Sequence, residues 1–402
     1  MTLWQLMWRD LKSILSDKDL VLTIFGAVLF YSVLYPLPYL HQVPTEQNIV
    51  VVDHDHSSLS RRVIRHADAS AKIRVQAVLA SVDEAQLWIT SGEAHGLLVI
   101  PEGFPDVDFP EDNAFSNARW ELGKRLFFDP ILSIDSSISC GSCHKPNIAF
   151  SDNMPFSPGV YNRPGVRNSS TLANVAYHPY FLREGSVPTL EMQVLVPIQE
   201  HNEFNHNIVT IAQQLNWQSS YVDQSQEAYG RNPDAFVITR ALATFQRTLL
   251  SGNSLYDQYL NGNNSALSED QKRGLDLFFG SKTNCTDCHN GFNFTEYTFE
   301  NNGLYETYTD IGRMRFTNDS ADFARFKTPT LRNIEFTGPY MHDGSMVTLE
   351  EIIEHYDSGG KAFPNKSLEI TPLDLSAQEK SDLVAFLKSL SDPSFMSDSR
   401  WE

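Results

Sequence analysis

Hydrophobic and polar positions change character along the chain in three stages. From Leu20 to Leu40 the residues LVLTIFGAVLFYSVLYPLPYL carry no charge. Such a run matches the roughly 20 residues that span a bilayer, although Pro36 and Pro38 break its outer end. Arg9, Lys12 and Lys18 precede it and the next basic residue is Arg61, so the positive-inside rule places the N-terminus in the cytoplasm. No small-residue cleavage site follows, which favours an uncleaved anchor over a signal peptide; a buried core helix is the alternative. Residues 49–100 then alternate. IVVVD, KIRVQAVLA and HGLLVIP read as strands, and SSLSRRVIRHADAS and VDEAQLWITSG as helices, predicting a small α/β extracytoplasmic domain. Beyond residue 105 the pattern turns helical. Ser268 with Gln271, Thr348 with Glu351 and Ser376 with Glu379 fit the capping box, and LSAQEKSDLVAFLKSLS has the spacing of an amphipathic helix on a core.

At 402 residues the chain is long enough for two or three domains, each with its own core. The net charge of −19 is uneven: residues 1–104 hold 8 Lys/Arg against 11 Asp/Glu, leaving −16 to the remainder. That field repels nucleic acid and would steer a small basic protein partner; ordinary solubility charge is the plainer alternative.

Two pentapeptides carry the chemistry, Cys140-Gly141-Ser142-Cys143-His144 and Cys285-Thr286-Asp287-Cys288-His289, and they use all 4 cysteines. In such a segment two thiols add across the vinyl groups of haem, and the next imidazole turns onto the iron. Two zinc half-sites or a thioredoxin-like dithiol are the alternatives. Structural zinc usually takes four Cys/His ligands from pairs close in sequence, and the adjoining His in both copies favours two c-type haems. Bacteria attach haem covalently outside the cytoplasm, so the chain needs an export signal or an anchor. His54, His56, His66 and His95, with no cysteine and no tight spacing, read as surface residues.

The chain also repeats itself. Gly123-Lys124-Arg125-Leu126-Phe127-Phe128 leads into the first pentapeptide and Gly274-Leu275-Asp276-Leu277-Phe278-Phe279 into the second. After each comes a matching segment at a constant offset: Thr171-Leu172-Ala173-Asn174 with Thr330-Leu331-Arg332-Asn333, Glu184-Gly185-Ser186 with Asp343-Gly344-Ser345, and Thr189-Leu190-Glu191 with Thr348-Leu349-Glu350. The expected fold class is mainly α: two cytochrome c-like haem domains preceded by a membrane helix and a small α/β domain. The Cys-X-X-Cys-His motif supplies one face of each haem, and the Thr-Leu-Glu helix can cover the other. The boundaries that follow are 1–45 for the tail and anchor, 46–104 for the α/β domain, 105–262 for the N-terminal haem domain and 263–402 for the C-terminal one.

Residues 105–395 resemble the bacterial di-haem cytochrome c peroxidase and MauG family. The stretches that carry the likeness are ELGKRLFFDPILS, ISCGSCHKPNIAFSD, TLEMQVLVPIQEHNEF, FQRTLLSGNSLYDQYL, FKTPTLRNIEFTGPYMHDG and LEEIIEHYDSGG. The resemblance implies proximal ligation by His144 and His289, and a peroxide pocket lined by Gln193 and Glu203. Cleaving the O–O bond heterolytically needs a group that takes a proton from one oxygen and returns it to the other, a task for Glu203 with Gln193 orienting the peroxide. Apart from the resemblance, Gln193 reads as a polar helix residue and Glu203 as a solvated charge. No His lies between His144 and His178, so the distal His of many relatives is missing; His178 is the nearest substitute and reads as structural. The first haem is therefore expected five-coordinate or water-bound, ready without prior reduction. On the second haem the usual Met falls on Tyr356, the MauG-type arrangement, with Met341, Met346, His342 and His355 as alternatives. A calcium ion is expected on Asn168, Thr337 and Pro339. The family's bridging Trp falls on Arg183, which cannot relay electrons but could pair with a haem propionate.

Carried over as a whole, the resemblance implies a periplasmic peroxidase that reduces hydrogen peroxide to water. Its electrons would come from a small cytochrome c or cupredoxin; it would bind two covalent haem c groups and calcium, and a homodimer is compatible with it. A MauG-like oxidase of a protein residue and a membrane-tethered electron-transfer cytochrome are the competing readings. The first hundred residues resemble the start of ABC-type export permeases, by general pattern, although no further spanning helices follow.

Overall fold

The computed structural model describes residues 47–53, 64–65, 67–68, 73–79, 82–100, 104–105 and 107–401. The expected anchor at 20–40 lies outside the described residues, as do His54, His56 and His66. Among the described residues no helix is long and apolar enough to cross a membrane. The chain divides into two compact units, one drawn from the first 101 residues and one built on Glu102–Glu402.

In the first unit β1 (Gln47–Asp53), β2 (Ile73–Leu79) and β3 (Gly96–Ile100) form a parallel sheet in the order β2-β1-β3. Val50, Val51 and Val52 of the central strand have no exposed surface, as a continuous β-branched run in a parallel sheet should. Helix α1 (Val82–Ser91) contributes buried Ala85 and the partly buried Trp88 to its core. His95 is exposed, as expected.

The second unit is mainly helical, and its organising helices are α2 (Asn117–Phe128), α3 (Leu190–Gln193), α4 (Ala235–Arg247), α5 (Glu269–Phe279), α6 (Leu349–Asp357) and α7 (Ala377–Lys388). The predicted capping boxes form. The Gln271 side chain accepts from the Ser268 amide at 2.9 Å while the Ser268 hydroxyl accepts from the Gln271 amide at 3.3 Å, and Thr348 and Ser376 start α6 and α7 in the same way.

Each half repeats one helix crossing. A Cβ on Gly123 of α2 would stand 2.0 Å from the Ala241 carbonyl oxygen of α4; one on Gly274 of α5 would stand 1.9 Å from that of Asp382 in α7. Glycine is required because the two backbones touch. Around each crossing grows an aromatic core, with Phe127, Phe150 and Phe245 in the first half and Phe278, Phe294 and Phe386 in the second. The C-terminal tail departs from the expected 263–402 boundary: Phe395 and Trp401 pack into the first core, their rings 5.6 and 5.7 Å from Phe150.

The constant offset seen in the sequence is a structural repeat. Asn174 and Asn333 both adopt φ of 59°, a left-handed conformation that Asn tolerates, and each starts a short 3-10 turn. Two backbone bonds then join the modules reciprocally. The Asn168 amide donates to the His342 carbonyl at 2.9 Å, and the Lys327 amide to the Arg183 carbonyl at 2.7 Å. Asn168 and Lys327 are equivalent in the repeat, and so are Arg183 and His342.

Helix propensity alone makes Gly274→Ala stabilising by ~1 kcal/mol, whereas overpacking a closed crossing costs roughly 1–3 kcal/mol. The expected outcome is a lower Tm of the holoprotein in a thermal melt. A higher Tm would show that the crossing has room for a methyl group.

Candidate functional site

Both pentapeptides close on themselves before they present anything to a ligand. Residues Cys140–Cys143 form one helical turn capped by Ser139, and the His144 amide donates to the Cys140 carbonyl at 2.9 Å. The second motif makes a 3-10 turn, with the equivalent His289-to-Cys285 bond also 2.9 Å. In each case the two thiols and the imidazole are brought to one side of a single turn.

The orientation of each imidazole is set by a strained backbone a few residues on. Phe150 and Phe294 have φ of 56° and 50°, an expensive conformation for a bulky residue, held here because both rings are fully buried. The payoff is the direction of their carbonyls: His144 Nδ1 lies 2.9 Å from the Phe150 oxygen and His289 Nδ1 lies 3.0 Å from that of Phe294. A carbonyl can only accept, so Nδ1 carries the hydrogen and Nε2 keeps its lone pair. Burial lowers the pKa of both rings, that of His289 to about 4. They are neutral at pH 7, the state a metal ligand needs.

The surroundings of the thiols weigh against a redox dithiol. Burial pushes Cys140 up to about 12, Cys143 to about 11 and Cys288 to about 12. A redox dithiol works through a lowered thiol pKa, so this environment is the opposite of what it needs. Among the described residues, no group of three or more His, Cys, Asp and Glu is placed to hold a metal ion. What each motif does face is a largely apolar cavity. The first, about 320 Å³, is walled by Cys140, Cys143, His144, Gln193 and Glu203; the second, about 260 Å³, by Cys285, Cys288, His289, Met341 and Tyr356. Two thiols, a neutral Nε2 and an apolar cleft fit a covalently attached haem in both places.

A family model for di-haem cytochrome c peroxidases matches residues 117–265. Methylamine utilization protein MauG of Methylorubrum extorquens is 38% identical over 294 residues, covering 72% of this chain and 82% of the relative. The chain belongs to the di-haem cytochrome c peroxidase family. Cytochrome-c peroxidase IdrP1 of Pseudomonas sp. (strain SCT) is 35% identical over 338 residues, 75% of this chain and 87% of the relative. The crystal structure of a MauG-like protein associated with microbial copper homeostasis superposes with a TM-score of 0.72 at 34% identity, covering 75% of this chain and 97% of that one. The protein is thus an oxidoreductase of the haem peroxidase class with two haem c groups, and its second unit has the mainly helical fold of that family.

The expected site residues fall into two groups around the two cavities. Gln193 and Glu203 both line the first. Glu203 is exposed by surface area and stands among the residues that wall the first cavity. Burial, with the neighbouring Glu200 charge, pushes its carboxyl up to about 7. Loop contact fixes its backbone: the Val160 amide donates to the Glu203 carbonyl at 2.9 Å, and a Cβ on Gly159 would sit 1.9 Å from the Asn202 oxygen. His178 also lines this cavity. Its ring is held 5.0 Å from Tyr297, with Nδ1 3.3 Å from Lys327 Nζ, and its Nε2 is buried without a partner.

In the second cavity Tyr356 projects from α6, and burial pushes its phenol up to about 12. Of the alternatives, His355 and Met346 do not line the cavity. His355 Nε2 is committed to the Asn302 carbonyl at 3.0 Å, Met341 Sδ accepts from Asn302 Nδ2 at 3.2 Å, and His342 stacks on Phe326 with centroids 4.1 Å apart.

Asn168, Thr337 and Pro339 do come together on the second cavity, but the donor set does not fit calcium. Arg183 Nη2 donates to both the backbone oxygen and Oδ1 of Asn168, each at 3.0 Å. Sequence reasoning missed Lys327, which lines both cavities beside Arg183. Its Nζ donates to the Tyr180 carbonyl at 2.9 Å, and burial next to Arg183 lowers its pKa to about 7. The repeat carried the signal: Lys327 is the counterpart of Asn168.

Replacing both Cys285 and Cys288 with Ala is expected to leave one covalent haem per chain, against two in the wild type, by pyridine haemochrome assay and intact mass. Two haems retained in the variant would sink the assignment of the second motif.

Proposed function

We propose that this protein is a periplasmic di-haem peroxidase that reduces hydrogen peroxide to water. The observation that carries the reading is an asymmetry inside the repeat. The position that holds Tyr356 in the second module holds Pro197 in the first, where it lines the first cavity. A proline side chain cannot ligate iron, so this wall offers the first haem no sixth ligand while the second faces a phenol. Bound haem would supply iron, which takes up peroxide where a position is open and otherwise passes electrons.

The chain's own groups have distinct tasks. His144 and His289 would hold the iron through Nε2, the nitrogen left free by their Nδ1–carbonyl bonds. Tyr356 would offer the second iron its phenol oxygen, a hard donor of the kind a ferric centre takes. Glu203 takes a proton from peroxide as a carboxylate and returns it as a carboxylic acid, and a pKa near the working pH suits both halves of that task. Gln193 orients the substrate by its amide. The oxidised spectrum before and after one equivalent of peroxide tests the reading. One high-spin and one low-spin haem with an immediate change supports it; two low-spin haems and no response overturn it.

Tyr356 also favours a second reading, a MauG-like oxidase that withdraws electrons from a protein residue. Steady peroxide turnover with a reduced small cytochrome c or cupredoxin separates the two, since the acidic haem unit would steer a basic donor.

The base form of Glu203 exists only above its pKa. The rate of reaction with peroxide is therefore expected to rise with pH through about 7 and then level. Glu203→Gln should lower that rate by about 10²–10⁴-fold and flatten the profile. An unchanged pH profile in the variant would assign the proton transfer to another group.

A further inference from the structure

The wall between the two cavities is built from the reciprocal segments that join the modules. Asn168, Arg183, Lys327, Pro329 and Thr330 line both cavities. The charges in and beside this wall are uneven. Arg167 is neutralised by Glu184 and by a two-pronged pair with Asp310 at 2.7 and 2.9 Å. Arg183 and Lys327 have no carboxylate within ion-pair distance among the described residues, and the guanidinium of Arg183 is held only by the two Asn168 oxygens. Its remaining accessible surface opens into the cavities. Each haem carries two propionate carboxylates, so a wall between two haems calls for positive charge.

A divalent cation is one way to supply that charge, and Asn168, Thr337 and Pro339 are the residues expected to bind it. Calcium needs six to eight oxygens with free lone pairs. Here the oxygens of Asn168 already accept from a guanidinium, no carboxylate joins the set, and three cationic side chains stand in or beside the wall. We propose that the Arg183 guanidinium, seated on both Asn168 oxygens between the two cavities, takes the place of a resident divalent cation, and that the protein binds no calcium there. Arginine suits the task because it stays charged in crowded surroundings and aims its donors in a plane.

The inference rests on the two-haem reading, and the test keeps them apart. Holoprotein dialysed against CaCl₂ and then metal-free buffer is expected to retain less than one tenth of a calcium per chain by elemental analysis. Its Tm should be the same in calcium and in EGTA, because a ligand that does not bind the folded state cannot raise Tm. One calcium per chain, or a calcium-dependent Tm, overturns the inference. Arg183→Met frees the Asn168 oxygens and removes the charge; this variant is expected to take up calcium and to gain Tm from it, whereas Arg183→Lys stays calcium-free. A calcium-indifferent Arg183→Met protein also overturns the inference. If Arg183→Met fails to fold, the calcium content of the wild type decides alone. Haem content and peroxide response are read on the same samples. Their loss in calcium-free wild type would count against the proposed function, whereas bound calcium with both intact would count only against Arg183.

Discussion

Two backbone hydrogen bonds hold the functional architecture in register. Asn168 to His342 and Lys327 to Arg183 are the same bond made twice, once in each direction, between equivalent segments of two copies of one module. Because each module lends its loop to the other, neither cavity has a wall entirely its own. A displacement of one module would break both bonds and leave the amides of half-buried residues unpaired, which costs more than the bonds contribute when made. The two cavities therefore share one rigid partition. Groups held in the two cavities would be separated by that partition alone.

Within this frame, repetition supplies the scaffold and divergence supplies the chemistry. The glycine crossings, the left-handed Asn174 and Asn333, and the carbonyls that orient His144 and His289 are duplicated almost atom for atom. All of them solve backbone problems, and a backbone problem has the same answer in both halves. The positions that differ face the cavities: Pro197 against Tyr356, Arg183 against His342, Asn168 against Lys327. Pro197 alters the scaffold as well. It cannot donate to the carbonyl four residues earlier, and the helix that runs unbroken over Leu349–Asp357 is interrupted in the first module at Val194.

How much of this was legible in the sequence follows the same division. The paired motifs, the offset between repeats and the capping boxes depend on local residue order, and they were read correctly from it. The strands of the first unit were legible as short apolar runs, Val50–Val52 among them, whereas their parallel pairing is shown by the structure. What could not be read was whatever depends on two distant segments meeting. Nothing local in Phe395 or Trp401 says that they complete the core around Phe150. Nothing local in Lys327 says that it stands beside Arg183 between two cavities. The calcium expectation is of the same kind: Asn168 is an adequate oxygen donor in isolation, and only the fold reveals that Arg183 donates to both of its oxygens.

The substitution at position 183 has a consequence for how the two haems communicate. An aromatic residue in the partition could accept and release an electron, giving transfer two short steps. A guanidinium cannot be oxidised at any accessible potential, so it would offer no such stepping stone between bound haems. It does, however, bring a permanent positive charge close to both cavities, and Lys327 adds a second one that burial makes easier to lose. Positive charge beside a haem favours its reduced state. With haem bound in both cavities, a partition of this kind would favour electrons on the haems and could pair with their carboxylates, in exchange for an aromatic relay. An enzyme that must accept electrons from a donor and spend them on peroxide gains from that exchange. One that must pull electrons out of a reluctant protein residue does not, and on this point Arg183 weighs against the oxidase reading that Tyr356 allows.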